Sequence, residues 1–355
     1  MTPMPTAVTE PRRVIGVEEH AWTPELRDAL LHWGGDDTVD LMSSQADVDA
    51  RLRELGDERL RRMDRLGVDM QVLSVTTPGT QPLRAAEAVP LARDANDALL
   101  DATRRHPDRF AAFATLPTPD PDAAAIELDR VVRAGMVGAM LFPRTGEDQL
   151  DHPRFRPVFE SAAELGVPIY LHPGVPPRAV RASLYDGFDP WVSMLLATGG
   201  WGWHAEAGVA VLRLILAGTF DRHPDLQVVL GHWGEQLVSF ADRADLLSGA
   251  AGLERPVLEQ VTDHVHVSAG GVMSHRMMRA ALDVLGADRV MYGHDDPYGA
   301  GAAGQAGADS RGRYGGRDGA RLFVEEAPLS DPDKARLAHV NAERLLGLAP
   351  VEEHS

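Results

Sequence analysis

The chain has 355 residues, a formal net charge of −18 and no cysteine. The acidic balance excludes the concentrated Lys and Arg surface that nucleic acids require, and the absence of thiols excludes disulfides, thiolate nucleophiles and cysteine-ligated zinc. A small-molecule partner and a cytoplasmic location are expected, no membrane association is expected because no run reaches about 18 apolar residues, and any metal must use nitrogen and oxygen ligands.

Short β-branched runs alternate with longer stretches of helical spacing, the pattern of repeated βα units around a parallel sheet. A chain of this length fits a single (β/α)8 barrel domain over residues 1–355. In chain order the predicted elements are strands Val14–Val17 and Met70–Ser74, helix Leu91–Arg105, strand Phe110–Leu116, helix Ala123–Ala134 and strand Val137–Phe142. Then follow helix Pro153–Leu165, strand Pro168–Leu171, helix Val209–Phe220, strands Leu226–Leu230 and Val265–Ser268, helix His275–Leu285 and strand Val290–Tyr292. A last helix runs from Ser330-Asp331-Pro332 to about Leu346. Two segments break the rhythm. Leu184–Gly202 is long for a βα connection and carries aromatics, which suits a cover over the catalytic face. Gly299–Gly319 is a Gly-rich loop insertion after strand eight, read either as a surface loop or as a lid.

Barrel active sites collect at the C-terminal ends of the strands. Strand one ends in Glu18-Glu19-His20, strand five in His172-Pro173, strand six in His232-Trp233-Gly234-Glu235 and strand eight in His294-Asp295-Asp296-Pro297. Side chains alternate along a strand, so Glu18 and His20 share a side and Glu19 points away. Imidazole with carboxylate suits one divalent ion, Zn²⁺ or Mn²⁺, with a position left for substrate or water. A lone His at a strand end is more often structural; the coincidence of several such ends carries the argument. His106, His152, His223, His264 and His275 read as ordinary surface or core residues.

These motifs are also where the chain resembles a known family, the decarboxylase branch of the amidohydrolase superfamily, which acts on γ-resorcylate, 2,3-dihydroxybenzoate, 5-carboxyvanillate and aminocarboxymuconate semialdehyde. The resemblance is carried by VEEH at 17–20, LSVTTPGTQ at 73–81, ANDALL at 95–100, HPDRFAAFATLPTPDPDAA at 106–124, YLHPG at 170–174, LYDG at 184–187, VLRLILAGTFDRHPDLQVVLGHWGE at 211–235, GADRVMYGHDDP at 286–297 and NAERLLGL at 341–348. It implies a distorted (β/α)8 TIM barrel, a metal held by Glu18, His20, His172 and Asp295, and His232 and Glu235 working beside it. It further implies a homodimer or homotetramer, with Arg243 reaching the neighbouring subunit's site. Strand eight departs from the family's Thr-Asp followed by an aromatic residue and Pro. Asp296 is therefore expected to add a carboxylate to the substrate pocket, and His294 an extra ligand or proton donor.

The activity implied is non-oxidative decarboxylation of a small hydroxyaromatic or dienoic carboxylic acid, with Asp295 as first proton donor, His232 as second and Glu235 orienting His232. Hydrolysis of a lactone, amide or imine is the alternative, and a barrel that only binds a ligand is a third. Trp22, Tyr185, Trp191, Trp201 and Trp203 either line the pocket or pack on neighbouring helices.

Overall fold

The computed structural model describes residues 12–33, 39, 46–298 and 313–350. Its parallel strands are β1 (Ile15–Ala21), β2 (Met70–Val75), β3 (Phe110–Ala112), β4 (Ala114–Thr115) and β5 (Ala139–Leu141). A small antiparallel hairpin, β6 (Arg144–Thr145) and β7 (Asp148–Gln149), follows; then come β8 (Ile169–Leu171), β9 (Val228–Leu230), β10 (Val265–Ser268) and β11 (Val290–Met291).

The strands pair in the orders β1-β2-β3 and β4-β5-β8-β9-β10-β11. β3 and β4 are two halves of one barrel strand that changes partner at its midpoint: Phe113 N donates to Leu73 O beyond β3 at 2.8 Å, and Ala114 N to Gly138 O at 2.9 Å. Between β1 and β11 the ring closes through Val17 N to Tyr292 O at 3.0 Å. Eight strand positions thus form a closed parallel barrel, which leaves no open sheet edge.

Alternation along each strand sorts apolar side chains into two cores. Ile15, Val17, Met70, Val72, Phe113, Met140, Tyr170, Val229 and Met291 fill the barrel interior, closed at one end by Ala342 and Leu346 of the last helix. A second, larger cluster, from Val14 to Ala338, lies between the strands and the surrounding helices. That last helix is tied to the barrel by Asn341, fully buried, whose side-chain amide donates to Val290 O at 2.8 Å and Ala287 O at 2.7 Å.

Several expectations are revised in detail. The helix expected from Leu91 begins at Ala85 and carries Pro90 within it. A helix, Arg178–Leu184, leads into the aromatic connection 184–202, and within it Pro190–Ala197 is helical, capped by the Asp189 carboxylate on Trp191 N. The following helix starts at Gly202, earlier than the apolar spacing from Val209 suggested, and ends at Leu216. The last helix runs from Asp331 to Leu346 with a π-helical turn at Arg336–Val340, and Ser330 caps its start. Most of the Gly-rich segment expected at 299–319 lies outside the described residues; its end enters a helix at Gly319–Glu325. No helix among the described residues is long and apolar enough to cross a membrane.

Candidate active site

Strict alternation cannot by itself build the mouth of this barrel at β1. Ile15 and Val17 face the interior, and so does Glu18, whose carboxylate meets Tyr170 and Ser268 inside the ring. The pairing of β1 with β2 shifts register between Gly16 and Glu19, and the extra residue lets Val17 and Glu18 point the same way. Beyond the shift, His20 faces inward and Glu19 outward. Glu19 fills the space above Gly16, where a Cβ would stand 2.1 Å from its Oε1. Its carboxylate accepts from His294 N (2.9 Å), Asp296 N (3.1 Å) and Gln71 Nε2 (3.1 Å), which fastens β1 and β2 to the segment after β11. Burial, reinforced by Asp296, pushes the Glu19 carboxyl well above its ordinary range. Gly16→Ala is expected to displace that carboxylate and cost about 1–3 kcal/mol, the usual range for overpacking; chemical denaturation measures it, and an unchanged midpoint would refute this account of the seam.

Glu18, His20 and His172 offer ligand atoms that lie within 4.8 Å of one another. His172 Nε2 is 3.4 Å and His232 Nε2 3.7 Å from Glu18 Oε1, and His20 Nε2 is 3.2 Å from Asp295 Oδ1. Glu18 Oε1 and His20 Nε2 are buried and make no hydrogen bond. Two orphaned buried polar atoms are costly unless something else satisfies them, and their convergence with a second imidazole and a second carboxylate fits a divalent cation. Glu18 has no room to turn away. Tyr170 and Ser268 hydroxyls donate to Oε2, the latter at 2.9 Å, and a Cβ on Gly231 would stand 2.7 Å from the same oxygen. Asp295 adopts left-handed backbone with φ 60° and its N donates to Glu18 O at 2.8 Å, so a strained residue is fixed directly to the ligand strand.

The hydrogen bonds also choose the tautomers. His172 Nδ1 lies 2.8 Å from Pro173 O, which only accepts, so Nδ1 carries a hydrogen and Nε2 is the nitrogen turned towards the Glu18 carboxylate. Ser74 Oγ donates to Glu19 O at 3.3 Å and so accepts from His20 Nδ1 at 3.2 Å, which bares His20 Nε2 in turn. Burial, with His232 and Arg59 adding to it, depresses the His20 imidazole to about 4. For Glu18 burial acts upward, but His232, His172 and His20 outweigh it and hold the carboxyl below the usual range. A neutral imidazole beside an ionised carboxylate is the state that a metal requires.

Next to this cluster the turn after β9 carries four non-glycine residues in left-handed backbone: His232 (φ 47°), Trp233 (62°), Glu235 (50°) and Gln236 (63°). The strained turn brings Glu235 Oε1 to 2.5 Å from His232 Nδ1. Burial would depress His232, but Glu235 and Glu18 override it and push its pKa up to about 10. The other Glu235 oxygen, Oε2, is 2.6 Å from His204 Nδ1, a residue that the sequence reading passed over. His204 lies near the start of a helix, not at a strand end. The only signal for it was its place among Trp201, Trp203 and Glu206 at the close of the aromatic connection.

Other expected site residues lie elsewhere. Tyr292, His294 and Asp296 alternate to the outside of the barrel, so the pocket carboxylate and extra ligand expected of Asp296 and His294 are not brought to the donor cluster. Asp296 is buried against the Asp57–Leu66 helix, with Oδ2 3.0 Å from Arg62 and 3.4 Å from Arg59. His294 Nδ1 pairs with the Tyr292 hydroxyl at 3.1 Å, and the two rings stack. Trp22 is a core residue whose indole N–H donates to Asp49 at 3.2 Å. Tyr185 is buried beside Gly202, with Glu206 helping burial to raise its pKa. Trp191 and Trp201 are exposed, whereas the Trp203 ring approaches His172 with centroids 6.3 Å apart. Arg243 is exposed and forms no ion pair among the described residues.

The fold and this cluster define a class: a (β/α)8 barrel with an imidazole and carboxylate centre at the C-terminal ends of its strands. The chain belongs to the amidohydrolase family, which matches residues 19–348. It is 33% identical over 350 residues to the γ-resorcylate decarboxylase of Rhizobium radiobacter, covering 94% of this chain and 98% of that one. Among solved structures it resembles 5-carboxyvanillate decarboxylase from Novosphingobium aromaticivorans, complexed with manganese and 4-hydroxy-3-methoxy-5-nitrobenzoic acid (30% identity, TM-score 0.82, 95% and 96% of the two chains). It also resembles 2,6-dihydroxybenzoate decarboxylase from Rhizobium (30% identity, TM-score 0.78, 95% and 99% covered).

Proposed function

We propose that this protein is a divalent-metal-dependent, non-oxidative decarboxylase of a small hydroxyaromatic carboxylic acid. The observation that carries the reading is the pair of orphaned buried atoms, Glu18 Oε1 and His20 Nε2, facing His172 and Asp295. The decarboxylase relatives support the substrate class. Glu18, His20, His172 and Asp295 would hold the ion, Zn²⁺ or Mn²⁺, which when bound supplies positive charge for the substrate carboxylate and an adjacent oxygen.

This chain's residues then have a defined task. A proton must reach the ring carbon that bears the carboxylate before carbon dioxide leaves with the carbon–carbon bond broken and its electron pair returned to the ring. Asp295, the most solvent-accessible of the four ligands at 16% side-chain exposure, is the first donor. His232 is the second, held in orientation by Glu235. The Trp203 ring near His172 and the Phe142 ring, its centroid 5.7 Å from that of His172, provide apolar walls that keep water from competing. Asp295→Asn is expected to lower turnover by at least about 10²-fold, the lower end for a lost general acid, while substrate still binds. Carbon dioxide release from ortho-hydroxylated benzoates, on protein loaded separately with Zn²⁺ and Mn²⁺, checks both claims. Solvent deuterium at the product carbon supports decarboxylation, whereas oxygen from labelled water in the product would replace it with hydrolysis.

A homodimer is part of this reading. Arg243 sits exposed between two exposed apolar residues, Phe240 (62%) and Leu246 (62%), a composition suited to a buried interface carrying one cation. Light scattering that gives a monomer mass at micromolar concentration would remove it. A cytoplasmic location fits the cysteine-free composition.

A further inference from the structure

Beside the cluster of donor atoms, the mouth of the barrel holds a cavity of about 210 Å³. Its walls follow the C-terminal ends of three strands: Pro78 and Pro82 after β2, Phe142 and Pro143 after β5, and Val175 after β8. The volume is below the ~300–1,000 Å³ of sites for drug-sized ligands and suits one small ring. The cavity borders the cluster, because the Phe142 ring that lines it stands edge-on to the His172 ring with centroids 5.7 Å apart. Val175 is three residues past His172, at most about 11 Å along the chain. A chelated carboxylate, one aromatic ring and one hydrogen bond reach that far.

Its one charged lining residue is Arg144, on the hairpin β6–β7. Gln81 fixes that hairpin: its side-chain amide donates to Arg144 O at 2.7 Å and Thr145 Oγ1 at 3.1 Å and accepts from Phe142 N at 2.7 Å. The Arg144 guanidinium makes a single hydrogen bond among the described residues, from Nη2 to Val175 O at 2.6 Å, so most of its five N–H donors are left for something else. Facing Nη1 at 4.0 Å is the Glu206 carboxylate, on the helix that also brings Trp203 to His172. That separation is too long for a hydrogen bond, and Glu206 accepts none from any other described residue. Burial raises its carboxyl, and Arg144 offsets this only in part. The two side chains are 22% and 18% exposed, so they stand in a partly enclosed rim and not on open surface.

We propose that Arg144 and Glu206 determine specificity by reading a second phenolic hydroxyl, on the ring edge remote from the substrate's carboxylate. Two hydrogen bonds of ordinary length that meet at one oxygen span about 4–5 Å between their outer atoms, and the gap between Nη1 and Oε2 is 4.0 Å. Arg144 can only donate and ionised Glu206 can only accept, so the group between them must do both. A hydroxyl does. A methoxy oxygen accepts but cannot donate, and turns a methyl towards the carboxylate. A second carboxylate is repelled by Glu206, and a bare ring edge leaves both charges without a partner. The substrate class is thereby narrowed to a dihydroxybenzoic acid with one hydroxyl beside the carboxylate and one far from it. Selection is by chemistry more than by size, in a cavity whose other walls are mostly apolar.

The inference rests on the decarboxylase reading, and the test separates the two. Wild type loaded with Mn²⁺ is assayed with 2,4- and 2,5-dihydroxybenzoate, with 2-hydroxy-4-methoxybenzoate and 2-hydroxy-5-methoxybenzoate, and with 2-hydroxybenzoate. At the ring position that reaches the pair, the hydroxyl is expected to raise kcat/KM about tenfold or more over both its methoxy counterpart and 2-hydroxybenzoate, the lower end for a hydrogen bond to a charged group. Glu206→Ala is expected to bring the ratio of hydroxyl to methoxy within about twofold, since Arg144 still donates to either oxygen. Arg144→Met is expected to raise KM for the dihydroxy acid about tenfold relative to KM for 2-hydroxybenzoate. These are ratios within one preparation, so a partly unfolded variant does not mimic them, and a merely structural role moves all the substrates alike. Wild type without a preference at either position overturns the proposal and leaves decarboxylation standing. So does a preference unchanged in Glu206→Ala, or a KM ratio unmoved in Arg144→Met. If no acid is turned over, it is the decarboxylase reading that fails for these substrates, and calorimetric dissociation constants for the same acids decide the inference. The same preference, lost in Glu206→Ala, upholds it; equal binding of hydroxyl and methoxy acids, or no binding, overturns it.

Discussion

Asp296→Asn is expected to destabilise the protein by about 3–5 kcal/mol, the cost of breaking a buried ion pair by removing one partner. Arg59 is fully buried and Arg62 nearly so, and the Asp296 carboxylate is the acceptor they share. Arg59 additionally donates to His20 O. Neutralising Asp296 leaves two guanidinium groups facing each other in the interior, with the Nε atoms of both and Nη1 of Arg59 already without hydrogen bonds. Urea unfolding gives the measurement. The pair also predicts an acid limit. Burial raises the Asp296 carboxyl, but Arg59 and Arg62 outweigh it and hold its folded pKa below the ordinary aspartate value. Its contribution is therefore complete above the unfolded pKa of about 4 and is lost as pH falls through the lower folded value. A stability close to wild type, with a changed KM instead, would return Asp296 to the substrate pocket.

The second large effect is at Glu18. Glu18→Gln keeps the size of the side chain and removes the charge that opposes a cation. The variant is expected to lose metal affinity by well over the 10–100-fold that removing a group which merely orients a ligand costs, and to lose turnover with it. Because Tyr170 and Ser268 still have an oxygen to donate to, the metal-free variant is expected to fold and to melt close to the metal-free wild type. Metal content after dialysis and thermal melts with and without Mn²⁺ separate these claims. Stoichiometric metal in Glu18→Gln would remove Glu18 from the ligand set and with it the reading of the orphaned oxygen.

The barrel was legible because β-branched runs at regular intervals describe it locally. The inward pair Glu18 and His20 was legible because alternation needs only neighbours in sequence. The same alternation applied to strand eight turns His294 and Asp296 outward with Tyr292, and the expectation that both enter the pocket came from comparing residue types with the family pattern instead. What could not be read was long-range. The register shift in β1 depends on the Glu19 carboxylate lying over Gly16 and reaching the segment after β11. The partners of Asp296 are on a helix that no motif marked, and His204 meets Glu235 only because a helix after the aromatic connection returns to the mouth of the barrel. Aromatic residues in that connection looked equivalent on paper, yet packing separates Trp203 beside the cluster from exposed Trp191 and Trp201.

The seam between β1 and the segment after β11 joins the two ends of the barrel. On the proposed reading, an ion shared by Glu18, His20 and Asp295 spans that seam, and in polymer terms it is a cross-link closing a loop of most of the chain. Cross-links of such span restrict the unfolded ensemble more than short ones do. Amide exchange at Val17, His20 and Asp295, whose N–H groups make the seam's bonds, would therefore slow on metal addition more than exchange in β5 or β8. The centre that performs the chemistry would then also hold the ring of strands shut.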